Sequence, residues 1–139
     1  MTRYEQLQDK IHNSDIVCEY TASNGLIAHS IRVDGDYGIF FNENAFDSQS
    51  ERYVALTHEY KHCKTGYMYN VSSPLLTMNI CEAKAWRHTI EEIIPFNELI
   101  DVILTFVYAD GLDIYQLSEH FGVMPDFMKT ALEYYQHRL

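Results

Sequence analysis

The sequence predicts an α+β protein: an N-terminal helix, a small antiparallel sheet, a long helix that carries an HExxH motif, and a C-terminal helical bundle. Three observations carry this reading. Apolar residues change from helical spacing to strand-like runs after Asn13-Ser14, an Asp34-Gly35 pair separates two of those runs, and from about residue 48 onward the pattern is helical.

Residues 3–13 place Tyr4, Leu7 and Ile11 on one helical face. Segments 16–20, 26–33 and 37–41 are rich in Ile, Val, Tyr and Phe and read as strands, with Asp34-Gly35-Asp36 marking a hairpin between the last two. Ser48 and Glu51 have capping-box spacing, so a helix starts after Ser48 and runs to Thr65, where Gly66 supplies a stop. Ser72-Ser73-Pro74 marks a loop. Helices follow at about 78–93, 97–109, 113–121 and 125–138, punctuated by Pro95, by Gly111 with Asp113, and by Gly122 with Pro125. No repeat or linker divides the chain, and 139 residues suit one domain, with 14–93 forming the sheet and metal-site helices and 94–139 a C-terminal helical part.

Composition narrows the function. A content of 47% hydrophobic residues with only six Gly and three Pro excludes disordered and collagen-like classes. The formal charge of −10 argues against direct nucleic-acid binding, which needs a basic face, and against an anionic membrane surface. The sequence has no run near the roughly 18 apolar residues of a membrane span. Its first residues carry no apolar leader core, and Cys18, Cys63 and Cys81 are an odd number, so the expectation is a cytoplasmic protein with reduced thiols.

The chemistry lies in His58-Glu59-Tyr60-Lys61-His62. At about 100° per residue, His58 and His62 fall about 40° apart and one turn from each other, so two imidazoles can share one metal ion. Glu59 falls on the adjoining face, where its carboxylate can reach a water without ligating the ion. Tyr60 points the opposite way, towards whatever the helix packs on. Chance supplies only about 0.03 such matches in a chain of this composition, so the motif carries weight. A third ligand is expected from the following helix. Glu82 shares a face there with Ala85, Trp86 and Thr89, and Ala85 is small enough for close helix approach. The rival is Cys81, which projects about 100° from Glu82. Two histidines and a glutamate leave one tetrahedral position open, as a catalytic site requires, and suit one Zn²⁺ per chain, with Mn²⁺ or Fe²⁺ compatible.

The segments Ser50–Gly66, Glu82-Ala-Lys-Ala85, Ile94-Pro95 and Leu117–Leu132 together resemble the ImmA/IrrE family of metallo-endopeptidases, with the likeness running from about Ser14 onward. The resemblance implies a zincin-like fold, His58, His62 and Glu82 as metal ligands, and Glu59 as the catalytic acid/base. It also implies a protein substrate, a helix-turn-helix transcriptional repressor of a phage or mobile element. One departure is Tyr60-Lys61, where the family usually has Leu-Gly; Lys61, about 60° from His58, is expected at the rim of the site.

In the expected reaction a metal ion polarises the scissile carbonyl and acidifies a water, while Glu59 moves the proton to the leaving amine. Tyr67, Tyr69 and His88 are the candidate oxyanion donors. Residues 113–132 resemble half of a helix-turn-helix, but residues 111–139 hold four acids and two bases, which disfavours DNA binding and leaves packing or partner recognition. The rival function is a metal-containing anti-repressor or regulatory binding protein that cuts nothing, for which Glu59 would be dispensable.

Overall fold

The computed structural model describes residues 1–21, 25, 27–107 and 113–138, and it is α+β. The chain divides into two compact units, Met1–Thr89 and Ile90–Leu139.

The first unit opens with α1 (Arg3–His12), whose N-cap Thr2 accepts from the Glu5 N–H, and whose Tyr4, Leu7 and Ile11 are buried on one face. Strands β1 (Val17–Tyr20), β2 (Ala28–Val33) and β3 (Asp36–Phe41) follow. The β2–β3 hairpin is antiparallel and closes through Asp34 (φ 53°) and Gly35 (φ 86°). Both central residues lie at positive φ, as a turn that follows the right-handed strand twist requires.

The sheet is mixed rather than antiparallel. Its order is β1-β3-β2, and β1 pairs with β3 in parallel, Val17 opposite Gly38 and Tyr20 opposite Phe41. The hairpin makes β2 and β3 immediate neighbours, so β1 takes the remaining edge of β3. The Thr21 N–H still bonds to the Phe41 carbonyl at the end of this pairing (3.0 Å).

After a 3-10 turn at Glu43–Ala45 comes α2 (Gln49–Thr65). The Ser48 hydroxyl accepts from the Glu51 N–H (3.2 Å). The Glu51 carboxylate reaches back to the Asp47 N–H instead of that of Ser48, so the expected box closes one residue early. Gly66 ends the helix at φ 75° with its N–H on the His62 carbonyl (3.0 Å). Leu56, Tyr60 and Cys63 of α2 join Tyr4, Leu7, Ile11, Ile16, Ile39 and Phe41 in one apolar core. Phe46 stacks on Phe41 at its margin (5.2 Å between centroids). Tyr60, 4% exposed, is the anchor that turns the opposite face of α2 towards β2.

Helix α3 (Leu75–Ile93) begins three residues earlier than the expected 78, because the Pro74 carbonyl already accepts the Met78 N–H (3.1 Å).

The second unit takes up the end of α3 and contains α4 (Phe96–Val107), α5 (Ile114–Phe121) and α6 (Pro125–Gln136). The expected continuation of α4 to residue 109 lies outside the described residues. Asp113 and Gln116 form a complete capping box for α5. Gly122, at φ 66°, ends that helix with its own N–H on Glu119 and that of Val123 on Ser118, a paired closure that leaves Pro125 to start α6. The Tyr135 hydroxyl donates to the Ile94 carbonyl and the Tyr134 hydroxyl to the Glu91 carboxylate, both at 2.6 Å. Among the described residues no helix is long and apolar enough to cross a membrane.

Candidate metal centre

Helix α2 presents His58 and His62 from successive turns, and α3 brings Glu82 against them. The three side chains converge: Glu82 Oε2 lies 2.9 Å from His58 Nε2, Glu82 Oε1 lies 3.0 Å from His62 Nε2, and the two Nε2 atoms are 3.2 Å apart. Among the described residues this is the group of His, Cys, Asp or Glu able to hold a metal ion. Tetrahedral donors at about 2.0–2.1 Å from zinc stand about 3.3 Å from one another, close to the spacing found.

Hydrogen-bond chemistry supports the same fit. His62 Nδ1 donates to the Tyr67 carbonyl (2.6 Å), so in a neutral ring its Nε2 carries a lone pair. That lone pair faces a carboxylate oxygen and a second imidazole nitrogen. A cation, whether a proton or a metal ion, is needed among these three electron-rich atoms.

The electrostatics express the same demand. Burial alone would lower the His62 pKa, but the bond to Glu82, the Tyr67 carbonyl and the charges of Glu59 and Glu82 raise it above its ordinary value. Hydrogen bonds from His58, then from His62, hold the Glu82 carboxyl well below the usual carboxylate range; burial opposes this and Tyr69 adds to it. Burial, followed by the bond from its hydroxyl to Glu82 Oε1 (2.7 Å), pushes Tyr69 up to about 12.

A cleft of about 310 Å³ opens over the three donors. Glu59, 9% exposed, lines it together with Ala28, His29 and Ser30 of β2, Met68 and Tyr69, while its carboxylate stays outside the converging donor set. Cys81 is buried elsewhere, its thiol directed at the Met68 carbonyl (3.7 Å). Lys61 does not line this cleft: its ammonium lies over the Tyr60 ring, 6.0 Å from the centroid, so the Tyr60-Lys61 departure leaves the site clear. Of the three expected oxyanion donors, Tyr69 lines the cleft. Tyr67 contributes its carbonyl to His62, and its ring lies alongside His88 (6.5 Å). Sequence reasoning missed the β2 residues, the Tyr67 carbonyl and the stacking of Trp86 on His58 (3.9 Å between centroids). The one available signal was His29, a polar residue inside an apolar run.

Among the described residues, strand β2 is an edge of the sheet. The Ile27 carbonyl accepts from the Asn42 N–H (2.8 Å), which in an antiparallel ladder places the β3-directed groups on alternate residues 27, 29, 31 and 33. The N–H and C=O groups of Ala28 and Ser30 are therefore directed away from β3, at the margin of the cleft.

Comparison with protein-family models, curated proteins and solved structures finds no match for this chain.

Proposed function

We propose that the chain is a metal-dependent endopeptidase of the ImmA/IrrE type, acting on a protein substrate in the cytoplasm. The observation that carries this reading is the convergence of His58, His62 and Glu82 beneath a cleft that Glu59 lines beside an open strand edge. His58 Nε2, His62 Nε2 and a Glu82 carboxylate oxygen would hold one ion, with zinc the best match to two imidazoles and a carboxylate, and Mn²⁺ or Fe²⁺ compatible. Bound there, the ion supplies Lewis-acid activation of a carbonyl and of water.

The chain's own residues do the remainder. The Ala28 and Ser30 backbone groups receive an extended peptide as an added strand and lay it across the cleft. Glu59 takes a proton from the attacking water as its oxygen adds to the amide carbon, then delivers a proton to the amine as the C–N bond breaks. The Tyr69 hydroxyl holds Glu82 in place through Oε1. The substrate we infer is a helix-turn-helix repressor of the same genetic element, a choice resting on the family resemblance.

Glu59→Gln tests the reading, because it removes the proton acceptor without touching a donor. The variant should keep one metal ion per chain, and cleavage of the repressor should fall by about 10²–10⁴-fold. Mass spectrometry of the fragments reads the result. If wild type and Glu59→Gln relieve repression equally and no fragments form, the chain acts by binding and the peptidase reading is wrong.

A further inference from the structure

The two histidines are held in different ways. His62 is oriented by a hydrogen bond from Nδ1 to the Tyr67 carbonyl, the support that a ligating imidazole normally has. His58 Nδ1 is buried and has no hydrogen-bond partner among the described residues. Instead the indole of Trp86 lies against the His58 ring, with centroids 3.9 Å apart and planes 25° from parallel. Trp86 stands one turn beyond Glu82 on α3, and Ala85 beside it is fully buried, which keeps α3 close to α2.

We propose that Trp86 is the positioning residue of His58: its ring replaces the missing hydrogen bond and aims Nε2 at the point where Glu82 and His62 Nε2 meet. This rests on the metal-site reading above. A histidine has two ways to turn out of the donor set, rotation about χ1 and about χ2. A hydrogen bond at Nδ1 resists both by direction. A flat ring packed face to face resists them by exclusion, since any tilt of the imidazole drives it into the indole or opens a gap. The stack leaves the imidazole edge, and so Nε2, facing Glu82 (2.9 Å). Trp86 is 39% exposed, more than a residue serving only as core filler would be.

The test uses Trp86→Phe, Trp86→Leu and Trp86→Ala in the full chain, with zinc affinity measured by competition with a chromophoric chelator. Phe keeps a flat partner, whereas Leu keeps bulk without one. Leu and Ala should weaken zinc binding by about 10-fold, the lower end of what loss of a ligand-orienting partner costs, and Phe should stay within about 3-fold of wild type. A second readout needs no metal. In the zinc-free protein the His58 ring protons should be shifted upfield by the single indole, and in Trp86→Leu the His58 side-chain resonances should broaden while those of His62 do not. Leu and Ala variants that bind zinc like wild type overturn the proposal, as does a Phe variant no better than Leu. A wild-type chain that binds no zinc overturns the metal site itself.

Discussion

Replacing Glu82 and replacing its neighbour Cys81 should have very different consequences for metal binding. Glu82 places one oxygen 2.9 Å from His58 Nε2 and the other 3.0 Å from His62 Nε2, so it is the anionic member of the donor set. Its removal in Glu82→Ala leaves two neutral imidazoles. Loss of an outer-shell partner already costs about 10–100-fold in affinity, so loss of a ligand should cost at least about 100-fold, or about 2.8 kcal/mol at about 1.4 kcal/mol per decade. Cys81 is directed at the Met68 carbonyl 3.7 Å away, and a serine hydroxyl has nearly the same size and can donate to the same oxygen. Cys81→Ser should therefore stay within about 3-fold of wild type. Glu82→Gln should fall between the two, since an amide oxygen can ligate but carries no charge. The assay is zinc titration against a competing chelator, with circular dichroism to check that each variant folds. If Cys81→Ser weakens zinc more than Glu82→Ala does, or if Glu82→Ala binds as wild type, the donor assignment is wrong.

Two further predictions concern the scaffold. Gly66→Ala places a side chain at φ 75°, where the added methyl meets nothing closer than the Tyr37 hydroxyl at 3.7 Å, so the cost of about 1–2 kcal/mol is one of backbone conformation; denaturant unfolding should show it, with a parallel loss of zinc affinity as the Tyr67 carbonyl shifts from His62. Tyr4, Tyr20 and Tyr135 all have pKa values raised chiefly by burial, Tyr135 to about 12, so the folded chain keeps these protons longer than the unfolded one, and stability that is complete below about pH 10 should be lost as pH rises towards 12. Tyr135→Phe should flatten that alkaline slope in thermal melts, and at neutral pH should lower stability by about 1 kcal/mol through the unmet Ile94 carbonyl.

What could be read from the sequence was what neighbouring residues decide. The α1 face of Tyr4, Leu7 and Ile11, the Asp34-Gly35 turn, and both ends of α2 follow from local spacing, positive φ and capping, and all three stand in the structure. The direction of β1 does not follow from local rules, because an edge strand of four residues is satisfied by either direction. Helix α3 starts early for a similar reason: its first bond uses the proline carbonyl, which composition alone reads as loop. At the site, helical geometry was enough to bring His58 and His62 together and to turn Cys81 away from Glu82. The Tyr67 carbonyl was invisible, since any residue type offers that group and only the chain path after Gly66 aims it. Trp86 was placed on the Glu82 face, but its contact with His58 depends on how closely α3 approaches α2.

The open edge of β2 also makes the molecule a potential partner for itself. Backbone groups at Ala28 and Ser30 that would receive a peptide under the proposed function would equally receive a second copy's β2, and two such edges laid antiparallel would build a six-stranded sheet across both chains. In such a pair each cleft would lie beside the seam, because Ala28, His29 and Ser30 line it. The strand is only six residues long and carries Arg32, features that natural edges use to discourage this pairing.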